Sequence, residues 1–194
     1  MRRLAILLSG RGSNFEAIAR AVERGEIRNA SIVAVVSDVP AAPGLARARS
    51  RGLPAFAVDR ARFSTRRAYE EEVLRILEAA RAELLCLAGY MRILSPEFIS
   101  RYPGRILNIH PSLLPKYPGL NAQQRALEAG DTVAGCTVHR VEEGVDSGPV
   151  LLQRQVPIEP GDTVESLSRR ILEEEHRAYP EAIARALEEL PAQP

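Results

Sequence analysis

The segment LNIHPSLLPKYPG, residues 107–119, places Asn108 and His110 two apart at the end of an apolar run. On a strand, that spacing puts both side chains on one face while Leu107 and Ile109 point to the other. A neutral amide donor beside an imidazole suits stabilisation of a tetrahedral oxyanion together with proton transfer. Pro111 restricts His110 to an extended backbone and so sets the direction in which the imidazole leaves the strand. Ser112 has no base placed by sequence to activate it, so attack by a substrate group fits better than a covalent enzyme intermediate. The same Asn and His, taken alone, also fit a strand end that satisfies its own backbone groups. A carboxylate partner is available in VEEGVDSGP, residues 141–149, where Asp146 lies between glycines. A carboxylate beside an imidazole favours the imidazolium, the form that can act as an acid. No contact between Asp146 and His110 is visible in the sequence, and an Asp is equally at home in a glycine-containing turn.

The second candidate is SGRGSN, residues 9–14, which follows the first apolar run. Unpaired backbone N–H groups and the helix dipole make such a strand-to-helix junction an anion site. Phe15 stands where a dinucleotide loop would carry its third glycine, and no Gly-Lys-Ser/Thr element follows, so a monophosphate is the expected ligand. The alternative is a tight turn in which Ser13 or Asn14 merely caps the helix.

The elements that must position these residues follow from the alternation of apolar runs with helix-periodic stretches, the pattern of an α/β domain on a largely parallel sheet. Strands are expected at Leu4 to Leu8, Ser31 to Ser37, residues 54–58, Glu83 to Ala88 and Arg105 to Ile109. Helices are expected from Asn14 to Arg24, over residues 43–51 and from Thr65 to Ala80. The runs Gly135 to Val141 and Val150 to Pro157, joined by a polar loop, read as an antiparallel addition. A charged helix from Val164 to Leu187, bent or split at Pro180, closes the pattern before a short flexible tail from about residue 189. Asn108 and His110 then end the fifth run, and ligands of open α/β sheets bind beyond the carboxyl ends of strands.

The whole chain of 194 residues is expected to form one domain. Its 26 basic and 25 acidic residues leave a formal charge of +1, which offers no field for nucleic acid or anionic membrane and points to small-molecule partners. The start MRRLAILLSG reads as a first strand rather than a secretory leader, no apolar stretch approaches the roughly 18 residues of a membrane span, and a cytoplasmic location is expected. Cys86 and Cys136 lie inside apolar runs without metal-ligand spacing and read as buried free thiols, and no metal site is expected.

Taken together, SGRGSN, AGYMRILSPEF, LNIHPSLLPKYPG and GCTVHRVEEGVDSGPVLLQ resemble the phosphoribosylglycinamide formyltransferases, a family of folate-dependent formyltransferases in purine biosynthesis. The resemblance runs from about Leu4 to Pro180, in order and at the expected spacings. It implies a Rossmann-like three-layer sandwich and transfer of the formyl group of 10-formyltetrahydrofolate to the amine of glycinamide ribonucleotide, by direct attack through a tetrahedral intermediate. It implies catalytic roles for Asn108, His110 and Asp146, with Asp146 tuning the His. It implies that Gly12, Ser13 and Asn14 hold the substrate phosphate and that Glu175 faces the ribose. It also implies folate contacts at Arg66, at Met91, Arg92, Ile93 and Leu94, at Asn108, and along Glu142, Glu143, Gly144, Val145 and Asp146. No metal is required by that chemistry, and a homodimer is compatible with it. One departure is visible: many relatives carry His-x-His after PGL, where this chain has Asn121 and Gln123, which puts loop packing or local pH response in doubt rather than catalysis.

Methionyl-tRNA formyltransferases and formyltetrahydrofolate deformylases are similar around the same Asn, His and Asp. Their extra domains would need a longer chain, and the phosphate loop favours the ribonucleotide. A binding module that retains the phosphate site without catalysis is the remaining alternative, and an assay of formyl transfer separates it.

Overall fold

A computed structural model describes residues 1–191. The expected tail beginning near residue 189 lies outside the described residues from position 192 onward. Five strands run parallel: β1 (Arg2–Leu8), β2 (Ala30–Ser37), β3 (Ala55–Ala57), β4 (Leu84–Leu87) and β5 (Ile106–His110). Two more extend the sheet through antiparallel pairings, as the change in pattern after residue 130 predicts: β6 (Val133–Arg140) runs antiparallel to β5, and β7 (Val150–Pro157) antiparallel to β6. The order across the sheet is β3-β2-β1-β4-β5-β6-β7. From β1 the chain therefore steps outward twice and then returns to the other side of β1. That reversal makes the crevice between the carboxyl ends of β1 and β4 a topological switch point, where open α/β sheets bind ligands.

Alternation along β1 builds the three layers. Leu4, Ile6 and Leu8 face one side and pack with Phe15 and Ile18 of α1 (Ser13–Glu23) and with Tyr179 and Ile183 of α6 (Val164–Glu189). Ala5 and Leu7 face the other and pack with Tyr69, Val73 and Leu77 of α3 (Arg66–Ala79) and with Phe98 of α4 (Pro96–Arg101). Both faces of the central strands are covered, which is why those strands read as unbroken apolar runs. The expected Rossmann-like three-layer arrangement is therefore the observed one.

Two local expectations need correction. The closing helix is not split at Pro180: α6 runs without interruption from Val164 to Glu189, with Thr163 and Ser166 forming a reciprocal capping box at its start. A helix-interior proline costs roughly 3 kcal/mol. Here the buried neighbours Tyr179, Ala182, Ile183 and Ala186 offset that cost through packing. Tyr179 also brings its hydroxyl within 3.0 Å of the Leu87 and Leu107 carbonyl oxygens, tying the helix to β4 and β5. Besides α2 (Pro43–Ser50), the chain forms two short helices not anticipated from periodicity, α4 and α5 (Ala122–Glu128). Each is too brief to display a full apolar stripe; α4 is set instead by its Ser95 cap and the proline at its first turn. No helix among the described residues is long and apolar enough to cross a membrane.

Candidate functional site

The β1–α1 junction opens at the switch point. Ser9 to Asn14 together with Ala88, Gly89 and Met91, which follow β4, line a cavity of about 310 Å³. Gly12 sits at φ +77, and a Cβ there would lie 2.8 Å from the Gly44 Cα, so the loop rests on the first turn of α2 with no room for a side chain. The Gly44 N–H donates to the Gly10 carbonyl at 3.1 Å and holds that contact. Neither Ser13 nor Asn14 caps α1; Gly12 occupies the cap position and no side chain bonds there. The first N–H groups of the helix are thus left without a capping side chain, beside a cavity that Ser13 and Asn14 line.

Asn14 is engaged elsewhere. Its amide donates to Glu175 Oε2 of α6 at 2.7 Å, a contact 161 residues long in sequence, and its own Oδ1 is buried without a partner. Two residues expected separately near the ribonucleotide are thereby brought together. Burial pushes the Glu175 carboxyl up to about 7, with the Asn14 hydrogen bond opposing the rise.

One strand further along the sheet, Asn108 and His110 leave β5 on a common face as their spacing predicts. The antiparallel register sets Asn108 opposite His139 and His110 opposite Thr137. Asp146 reaches them from the β6–β7 loop. Its Oδ2 lies 3.2 Å from His110 Nδ1 and accepts the Gly119 N–H at 2.9 Å. Its Oδ1 accepts from Asn108 Nδ2 at 3.3 Å and lies 3.5 Å from His139 Nε2. The contact that sequence could not display is therefore present. Burial raises the Asp146 carboxyl, but the His139 hydrogen bond, the Gly119 N–H and the two imidazoles outweigh it and hold the group below its ordinary value.

The loop after His110 is more than a stiff exit. His110 Nε2 lies 2.8 Å from the Tyr117 carbonyl oxygen, so both ring nitrogens face acceptors, and only a ring protonated at both can donate to both. Thr137 on β6 pins the same loop, donating to the Ser112 carbonyl at 2.6 Å and accepting the Leu114 N–H at 3.0 Å. Gln153 of β7 adds a bond to the Leu114 carbonyl at 2.8 Å. Asp146 is itself held at φ +51, a conformation sparsely occupied outside glycine. At Gly148 a Cβ would fall 1.9 Å from the Arg140 carbonyl oxygen, so the returning chain can close against β6 only without a side chain.

His139 was missed by sequence reasoning. Its Nδ1 lies 2.9 Å from the Arg140 carbonyl and carries the proton there, leaving Nε2 toward Asn108 at 3.3 Å and toward Asp146. The signal that could have found it is its alternation with Val138 on a strand antiparallel to β5, which depends on knowing the pairing.

The remaining expected residues divide. Arg66, at the start of α3, donates to the Ile93 carbonyl and to Glu70 Oε1 at 3.0 Å, so it does adjoin the 91–94 segment. Glu70 in turn accepts the Ser95 N–H at 3.0 Å and anchors the end of that segment. Met91 and Ile93 are 68% and 67% exposed, two apolar side chains left facing solvent. Leu94 is buried, and Arg92 pairs with the buried Asp38 at 2.7 Å. Glu142, Glu143, Gly144 and Val145 lie exposed on the β6–β7 loop, and no hydrogen bond among the described residues links them to residues 91–94. Asn121 and Gln123 begin α5 and make no side-chain bond to the Asn108, His110 and Asp146 group among the described residues.

Residues 2–183 match the formyl transferase family. The chain belongs to that family. Phosphoribosylglycinamide formyltransferase of Haemophilus influenzae is 45% identical over 180 residues, covering 93% of this chain and 84% of that protein. The trifunctional purine biosynthetic protein adenosine-3 of Drosophila melanogaster is 48% identical over 184 residues, and the chain spans 14% of its length. Among solved structures, glycinamide ribonucleotide transformylase 1 from Symbiobacterium toebii superposes with a TM-score of 0.94 at 49% identity, covering 100% of this chain and 91% of that one. The formyl transferase match includes the glycine loop, the β5 donors, the β6–β7 loop and Glu175.

Proposed function

We propose that this formyl transferase moves the formyl group of 10-formyltetrahydrofolate to the amine of glycinamide ribonucleotide, a step of purine biosynthesis in the cytoplasm. The carrying observation is the convergence of Asn108, His110 and Asp146 at the carboxyl edge of the sheet, one strand from the anion loop. The α1 N-terminus at Gly12, Ser13 and Asn14 takes the substrate phosphate, and Glu175 behind Asn14 faces the ribose. The rim built by Arg66, Met91, Arg92, Ile93 and Leu94 and the loop from Glu142 to Asp146 take the folate.

Bound so, the amine nitrogen attacks the formyl carbon and forms the new C–N bond as the carbonyl π electrons move to oxygen. Asn108 donates to that developing oxyanion, and His110 shares with it the Nε2 hydrogen directed at the Tyr117 carbonyl, an interaction that typically supplies the largest share of acyl-transfer catalysis. Asp146 keeps the imidazole oriented toward the reacting group, and His110 passes a proton to the folate nitrogen as the old C–N bond breaks. The amine must be neutral to attack, and the proton it sheds once the new C–N bond has formed returns to the imidazole that gave one to the folate nitrogen, so no net proton is gained or lost. Holding both substrates on one rigid sheet edge converts a two-substrate encounter into a local one.

The test is formyl transfer between purified 10-formyltetrahydrofolate and glycinamide ribonucleotide, with methionyl-tRNA and water as competing acceptors. Transfer to the ribonucleotide alone is expected. Absence of transfer, or preference for either competitor, refutes the reading.

A further inference from the structure

The backbone groups that touch His110 and Asp146 come from one short segment, the Tyr117 carbonyl and the Gly119 N–H. That segment is held from outside the site. Asp131, in the turn after α5, accepts the Tyr117 hydroxyl on Oδ2 at 3.0 Å and the Lys116 ammonium on both oxygens at 3.0 Å. Lys116 is the only lysine of the chain. Arg125 of α5 completes the grip, with its guanidinium carbon 5.2 Å from the Tyr117 ring centroid and Nη1 donating to the Pro118 carbonyl at 2.6 Å. Within this grip Tyr117 is kept at φ +55, a conformation that a residue with a side chain holds only when its surroundings over-determine it.

We propose that Asp131 is a positioning residue for formyl transfer. By holding Lys116 and Tyr117 it sets the Tyr117 carbonyl against His110 and the Gly119 N–H against Asp146. The inference rests on the reading of His110 and Asp146 given above. Asp131 makes no hydrogen bond to either of them among the described residues, so its effect passes through the loop backbone. An ordinary ion pair at the surface contributes little to stability and nothing to rate. A carboxylate that fixes a strained loop over the reacting groups does the reverse: its loss costs more in rate than in stability, because small misplacements of oriented groups are expensive.

Asp131→Ala, Asp131→Asn and Tyr117→Phe in the full chain test this. For Asp131→Ala and Tyr117→Phe, kcat is expected to fall by at least about tenfold while KM for both substrates stays within about threefold. Asp131→Asn, which keeps an acceptor for the Tyr117 hydroxyl, is expected to recover part of that loss. With only three histidines in the chain, the imidazole signals can be assigned by NMR. The His110 signal is expected to move in Asp131→Ala, whereas that of His176, on α6, stays fixed. A folded Asp131→Ala with wild-type kcat and an unmoved His110 signal overturns the proposal. If Asp131→Ala does not fold, Tyr117→Phe decides on the same two readouts. If the unaltered chain transfers no formyl group, the functional reading fails, and the His110 signal then reports on the loop clamp by itself.

Discussion

Replacing Asp146 with Asn keeps the size and shape of the side chain but leaves one acceptor oxygen where there were two. In the folded protein the two carboxylate oxygens serve different partners: Oδ2 meets His110 and the Gly119 N–H, and Oδ1 meets Asn108 and His139. An amide must turn its NH2 toward one of these sides, setting a donor against donors. If it faces His110, the charge-assisted contact that orients the imidazole is lost. If it faces Asn108, the amide of Asn108 is pushed from the position where it would meet the oxyanion. Hydrogen bonds to charged groups are worth about 1.5–3 kcal/mol, and each 1.36 kcal/mol is tenfold in rate, so either choice alone costs about 10- to 150-fold. Displacement of the second donor adds to this, and we expect kcat to fall by about 10²–10³. Ribonucleotide affinity should change little, since the anion loop is not touched. Steady-state kcat and KM for both substrates, with equilibrium binding of the ribonucleotide, provide the measurement. A variant within about threefold of wild-type kcat would refute the argument that Asp146 orients the donors.

Asn108→Ala and His110→Ala each remove a donor outright, and single-turnover rates should fall by at least about 10² to 10³. Gly12→Ala forces a Cβ to 2.8 Å from the Gly44 Cα at a φ of +77, so calorimetry should show ribonucleotide affinity falling more than folate affinity; equal losses would indicate general damage. The Glu175 carboxyl, raised by burial to about 7 from an ordinary value of 4.5, keeps its proton in the folded state over a range where the unfolded chain has lost it. Its contribution to stability is therefore full below about pH 4.5 and is lost as pH rises through about 7. Denaturation of Glu175→Gln against wild type should show a gap shifting in favour of the variant across that window, by up to roughly 3 kcal/mol. A gap independent of pH would remove the argument. The lowered carboxyl of Asp146 has the opposite sign: its contribution is present above its ordinary value of 3.8 and lost as pH falls through the lower folded value.

The parallel core of the fold was legible because its determinants are local. Runs such as LAILL and ASIVAVV are short, apolar and bounded by turn residues, which reads as buried strands, and the helical spacing between them leaves few places for the chain to go. The short helices escaped because α4 and α5, of 6 and 7 residues, are too brief to show a repeating stripe, and only α4 has a capping side chain. The unbroken run through Pro180 escaped for a related reason, since the penalty of the missing N–H is local while the packing that offsets it comes from α1, β6 and β7. At the candidate site, Asn108 and His110 were legible as a pair because strand geometry alone puts residues two apart on one face.

The chemical types available, and the shared face of the β5 donors, follow from the chain itself, since backbone period and residue type act over a few positions. Which groups complete the site was decided by the tertiary structure. Strand order placed the glycine loop at the β1 and β4 switch point, antiparallel register set His139 opposite Asn108, and packing of α6 on α1 joined Glu175 to Asn14. The prolines after His110 fixed a direction, but Tyr117 and Gly119 became partners of His110 and Asp146 only when Asp131, Arg125 and Thr137 folded against their loop. Such partnerships span from 7 to 161 residues and depend on which elements become neighbours, which no local pattern specifies.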